Sequence, residues 1–123
     1  MSRAVERWFR RLRQPAVSDL AELEVISAIA RKARDRTMSP EDGRKVAAMF
    51  LAHLDGGYYT RVPVAREHYR LARDWISRFD IPLSTLDALH LAVSSLAGLR
   101  LATADQGLAR QARVIGARVV RFP

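Results

Sequence analysis

Residues 84–109 read STLDALHLAVSSLAGLRLATADQGLA, and the order of signals inside this stretch decides the fold class. Ser84 or Thr85 supplies a side-chain oxygen for a helix start. Leu86, Leu89, Leu91, Ala92, Val93 and Leu96 then place apolar groups on nearly every side of a helix to about Ala97, so this helix is predicted to be buried. Gly98 is a stop signal. Leu99–Thr103 is a short apolar run that reads as a strand, and Asp105 opens the next helix, Gln106–Ile115, which Gly116 ends. Arg118–Phe122 reads as a closing strand. A strand between two helices, with a second strand after the second helix, is the pattern of a parallel sheet.

The same alternation continues upstream. Asp80-Ile81-Pro82 breaks a helix running from Glu67 to Phe79, and Tyr58–Val64 is aromatic and β-branched, with Pro63 expected at the end of a strand. Ser39-Pro40-Glu41-Asp42 combines an N-cap, a first-turn proline and first-turn acids, starting a helix that runs to about Leu54, ahead of Gly56-Gly57. A helix over Leu20–Arg36 carries Val25, Ile26, Ile29 and Ala33 as its apolar stripe, preceded by a brief strand at Pro15–Ser18. Arg3–Arg13 reads as a short amphipathic helix with Val5, Trp8, Phe9 and Leu12 on one side. The expectation is an α/β chain, a doubly wound parallel sheet with helices on both faces, forming a single domain over residues 1–123. Such domains usually open with a strand, and this one opens with a helix.

Composition narrows the class further. At 123 residues and 49% hydrophobic, the chain is one ordinary domain with enough apolar mass for a core. Charged or polar residues interrupt every apolar run, so no transmembrane helix and no membrane partner are expected. Residues 1–14 lack the apolar core of a secretory signal. The absence of cysteine excludes disulfides and thiolate metal sites and fits a reducing cytoplasm. A net charge of +8 favours polyanionic partners. It is concentrated at the ends, with five Arg against one Glu in residues 1–13 and five Arg against one Asp in residues 100–123.

Seven residues stand out chemically. Asp87, His90 and Ser94 form one polar stripe on the otherwise apolar helix, and a buried carboxylate is costly unless it is paired or bound to a metal. The competing reading is a capping box, in which Asp87 returns a hydrogen bond to the helix start opposite Ser84; His90 reads equally as a structural histidine. Asp105 is either an N-cap or a site acid at the carboxyl end of a strand, where open α/β sheets place their sites. Thr103, two residues earlier, is placed to hydrogen-bond a carboxylate or a water. Glu24 and Glu22 lie in the first turns of a helix directly after a strand; two residues apart, they face different sides, and local pattern does not choose between them.

Taken together, these segments resemble the PIN-domain ribonucleases, specifically the VapC-type toxins of bacterial toxin–antitoxin pairs. The residues that carry the resemblance are VSDLAELEVISAI at 17–29, LDALHLA at 86–92, LATADQGLA at 101–109 and the closing strand after Gly116. The resemblance assigns Glu24 rather than Glu22, together with Asp87 and Asp105, as catalytic and metal-binding acids, with Thr103 supporting them. It implies Mg²⁺ or Mn²⁺ as cofactor, RNA as substrate, and a cognate antitoxin and a second copy of the chain as protein partners. Hard cations suit such a carboxylate set, and a divalent ion is what lets clustered acids all remain ionised. The family's pattern also begins with a central strand ending in an Asp that is the first metal ligand. Nothing before Arg3 supplies it, so the expectation is strands 2, 3, 4 and 5 of a 3-2-1-4-5 sheet, with the chain either a truncated or misannotated reading of a longer protein or filling the gap with another segment. Two alternatives stand beside this reading: a non-catalytic remnant that binds an antitoxin or RNA, and a basic nucleic-acid-binding protein whose acids are only caps.

Overall fold

In the computed structural model, Arg7 and residues 15–121 are described. They contain β1 (Ala16–Ser18), α1 (Asp19–Arg34), α2 (Pro40–Asp55), β2 (Thr60–Val62), α3 (Arg66–Ile76), α4 (Thr85–Leu96), β3 (Leu101–Thr103), α5 (Gln106–Ile115) and β4 (Val119–Arg121). The amphipathic helix expected over Arg3–Arg13 and the end of the strand expected at Phe122 fall outside the described residues. The chain divides into two compact units, residues 12–63 and residues 64–123 with 1–11.

In residues 12–63, Ser18 ends β1 and caps α1, its Oγ accepting from the Ala21 amide at 3.0 Å. Ser39 does the same for α2, accepting from the Asp42 amide at 3.1 Å with Pro40 in the first turn. The helices pack on each other and return the chain to β2, which runs parallel to β1 with Ala16 opposite Thr60 and Ser18 opposite Val62. The strand expected over Tyr58–Val64 shortens to three residues because β1 offers only three partners. Tyr58 and Tyr59 instead lie in the preceding turn, where their rings lean on His53 and Phe50. On α1, Ile26, Ile29 and Ala33 are half-buried as the stripe requires, but Val25 is exposed and no residue of this helix is fully buried.

In residues 64–123, α4 is the buried element. Ala88, Leu89, Leu91, Ala92, Val93 and Ser94 are all buried, and Leu91 is 0% exposed. Only its ends depart from expectation, with Leu86 49% and Leu96 50% exposed. The core around it joins Ala72 of α3, Leu83, and Leu108 and Ala112 of α5, with Trp75, Ile76, Leu101 and Val119 packed against them. Both predicted glycine stops hold: Gly98 (φ +70°) turns the chain from α4 toward β3, and Gly116 (φ +79°) caps α5 in the left-handed conformation. β3 and β4 are parallel, Leu101 opposite Val119 and Thr103 opposite Arg121. The four described strands thus form two two-stranded parallel sheets. Val17, Leu101 and Val119, expected to be buried, are half-buried, since a two-stranded sheet covers less of each strand than a wide one.

The packing predicts where stability resides. Leu91→Ala should cost about 2–5 kcal/mol, the range for emptying a fully buried leucine site. Leu23→Ala, at a position 65% exposed, should stay within about 0.5 kcal/mol. Urea unfolding of both variants checks this, and comparable losses at the two sites would refute the placement of the core.

Candidate active site

The acid on α4 is placed by the cap of that helix. Ser84 is extended (φ −72°, ψ 160°), and its Oγ accepts from the Asp87 amide at 3.2 Å. Only half of the expected capping box is formed, because the Asp87 carboxylate makes no return bond to the Ser84 amide. Among the described residues this half-buried carboxylate has no hydrogen-bond or ion-pair partner. Ser94, on the same stripe, donates its hydroxyl to the Leu91 carbonyl at 3.1 Å, a local structural bond. His90 is half-buried.

Asp105 takes up its capping reading, at a position just past the carboxyl end of β3. Its Oδ1 caps α5, accepting from the Gly107 amide at 2.8 Å and the Leu108 amide at 3.2 Å. These two bonds fix the plane of the carboxylate and leave Oδ2 without a partner among the described residues. Thr103, 9% exposed, supports it by an unexpected route: Oγ1 accepts from the Asp105 backbone amide at 3.0 Å. The threonine therefore holds the backbone of the acid rather than its side chain. Both acids belong to residues 64–123, Asp87 in the first turn of α4 and Asp105 just past the carboxyl end of β3.

Glu24 lies in the other unit, half-buried on α1. Its rival Glu22 is engaged by Arg61 of β2 at 3.6 Å, which also reaches Asp55 at 2.9 Å. Within neither unit do three or more His, Asp or Glu among the described residues gather into a group that could hold a metal ion. The donor chemistry nevertheless suits one: an unpartnered carboxylate at Asp87 and a half-occupied one at Asp105 are hard oxygen ligands of the kind Mg²⁺ and Mn²⁺ prefer.

One buried polar residue was missed in the sequence. His68 is 6% exposed, and its Nδ1 accepts from the Ala65 amide at 2.7 Å, capping α3 from the third helical position. The signal was the absence of any oxygen-bearing side chain at Ala65, which leaves the helix start to be capped from within.

These bonds separate capping from chemistry. Asp105→Asn should keep the α5 cap and change stability by no more than a few tenths of a kcal/mol, whereas Asp105→Ala should cost about 1 kcal/mol. Thr103→Val should also cost about 1 kcal/mol by orphaning the Asp105 amide. Asp87→Asn should be nearly neutral, there being no partner to lose. Chemical denaturation reads all four, and a loss above about 1 kcal/mol for Asp87→Asn would show that its carboxylate has a structural role.

The PIN domain model matches residues 1–114. No curated protein matches the chain. PIN domains are generally nucleases, hydrolases of nucleic acid, and typically bind divalent metals. Among the described residues no helix is long and apolar enough to cross a membrane. The matched residues include every element from β1 to α4, together with β3, Thr103 and Asp105; the chain belongs to the PIN domain family.

Proposed function

We propose that the chain is a metal-dependent endoribonuclease and the toxin of a type II toxin–antitoxin pair. The observation that carries the nuclease reading is the Asp87 carboxylate, half-buried on an otherwise apolar helix with no partner among the described residues. An ionised group in that position is costly unless a cation satisfies it. Asp105, with one oxygen held by α5 and the other free, supplies a second ligand of fixed orientation. Thr103 positions it through its backbone amide. Glu24, half-buried on α1, is the third acid on the resemblance of residues 17–29 alone.

Bound by these acids, Mg²⁺ or Mn²⁺ would supply a Lewis acid for the scissile phosphate and a lowered pKa for the attacking water. The α5 amides and Thr103 hold Asp105 in place, so that little reorganisation is needed there as charge develops on the phosphate. The toxin reading rests on the resemblance of residues 17–29, 86–92 and 101–109 to that branch of the family. Its expected protein partner is an antitoxin segment whose Arg pairs with the acid cluster.

A second reading is a non-catalytic PIN module that binds RNA or an antitoxin without turnover, since among the described residues no three His, Asp or Glu gather into a group within either unit. Metal dependence separates the two. The nuclease reading expects RNA cleavage that needs Mg²⁺ or Mn²⁺ and stops on adding EDTA. Asp87→Asn and Asp105→Asn should each lower the rate by at least roughly 100-fold, since metal stabilisation of the transition state amounts to several kcal/mol. RNA binding with no metal-dependent cleavage, unchanged by either variant, would establish the binding module instead.

A further inference from the structure

The parallel pairing of β3 and β4 gathers arginines on one flank of residues 64–123. Leu101 lies opposite Val119, so Arg100 and Arg118 stand together at the amino end of the ladder. Arg121 is at the carboxyl end, opposite Thr103, and Arg113 comes from the last turn of α5. These four arginines, with Ala109 and Val119, line one shallow open depression of about 370 Å³. Among the described residues no carboxylate lines it and none of the four arginines forms an ion pair. Arg118 is anchored by donating Nη2 to the Gly98 carbonyl, which fixes one guanidinium at the rim.

Three other arginines of this chain are neutralised locally. Arg61, Arg73 and Arg78 each lie against an aspartate. An arginine in the last turn of a helix is ordinary by itself, since it complements the helix dipole. Four that converge from a loop, a helix end and both ends of a strand, with no acid among them, repel one another and raise the local affinity for an anion. The planar guanidinium suits phosphate oxygens in particular. From Arg118 to Arg121 the strand advances roughly 10 Å, enough to follow a polymer past more than one phosphate.

We propose that Arg100, Arg113, Arg118 and Arg121 form a phosphate-backbone binding track for single-stranded RNA, leading along β4 toward the end of the sheet where Thr103 and Asp105 sit. The track deepens the ribonuclease reading by assigning a surface that holds the substrate strand away from the acids. Its test is made in EDTA, where no cleavage occurs, so that failure of the track and failure of the nuclease chemistry are distinguishable.

The measurement is fluorescence anisotropy of a labelled single-stranded RNA over a salt series with the full chain. For single strands each phosphate contact contributes about 0.7 to the slope of log affinity against log salt. Arg113→Gln with Arg121→Gln should therefore flatten the slope by about 1.4 and weaken binding at low salt. Arg34→Gln with Arg44→Gln, an equal charge change on α1 and α2, should flatten it much less. Should the double variant unfold, Arg100→Gln alone is expected to flatten the slope by about 0.7. Equal effects of the track and control substitutions would overturn the proposal. It would also be overturned if the track variants lost inorganic pyrophosphate binding or poly-glutamate binding while their RNA binding was unchanged, because the site would then serve a free phosphate or an acidic protein.

Discussion

Leu91 has no exposed surface, and around it α4 turns Ala88, Leu89, Ala92 and Val93 into the core of residues 64–123. A helix buried so nearly all round must present its few polar groups at its ends or along one narrow stripe. That constraint organises its neighbours. Helix α3 contributes Ala72, α5 contributes Leu108 and Ala112, and the small alanines on both sides of the contact let the helices approach closely. The β3–β4 ladder follows because the chain leaving α4 at Gly98 and the chain leaving α5 at Gly116 both turn through left-handed glycines. The same burial makes Asp87 conspicuous, since it is the acid on a helix that otherwise excludes charge.

The two acids of this unit illustrate how a capping residue and a site residue come to share a position. A helix N-terminus after a parallel strand has unsatisfied amides and a positive dipole end, so an acid there is favourable whatever its role. Asp105 satisfies two of those amides with one oxygen and keeps the other free. Asp87 leaves capping to Ser84 and keeps both oxygens free. A carboxylate that is held but not consumed is suited to ligand binding, because its orientation is already fixed when the ligand arrives. Thr103 adds a further restraint through the Asp105 amide.

What was legible in the sequence was local. Ser39-Pro40, Ser84, Gly98 and Gly116 carry their meaning within one turn of the chain, and the structure uses all of them as helix boundaries. Strand ends were not local: Tyr58, Tyr59 and Leu99 look like strand residues, but strand length depends on how many partners the neighbouring strand offers. The ion pair of Glu22 was invisible for the same reason, because its partner Arg61 comes from β2. The sequence could place Asp87 in a capping box or a site but could not say whether its carboxylate would turn back to Ser84. His68 escaped notice because an interior histidine capping its own helix start has no pattern as familiar as a serine N-cap.

The account stands on Asp87 and Asp105 serving one divalent ion, and the most direct measurement is paramagnetic broadening of backbone amide signals by sub-stoichiometric Mn²⁺. The account predicts that the amides of Asp87, Thr103 and Asp105 broaden together, and that Asp87→Asn, with the fold intact, abolishes the effect at all of them. Broadening scattered over exposed acids such as Glu41 and Asp74 and unchanged in the variant would contradict it.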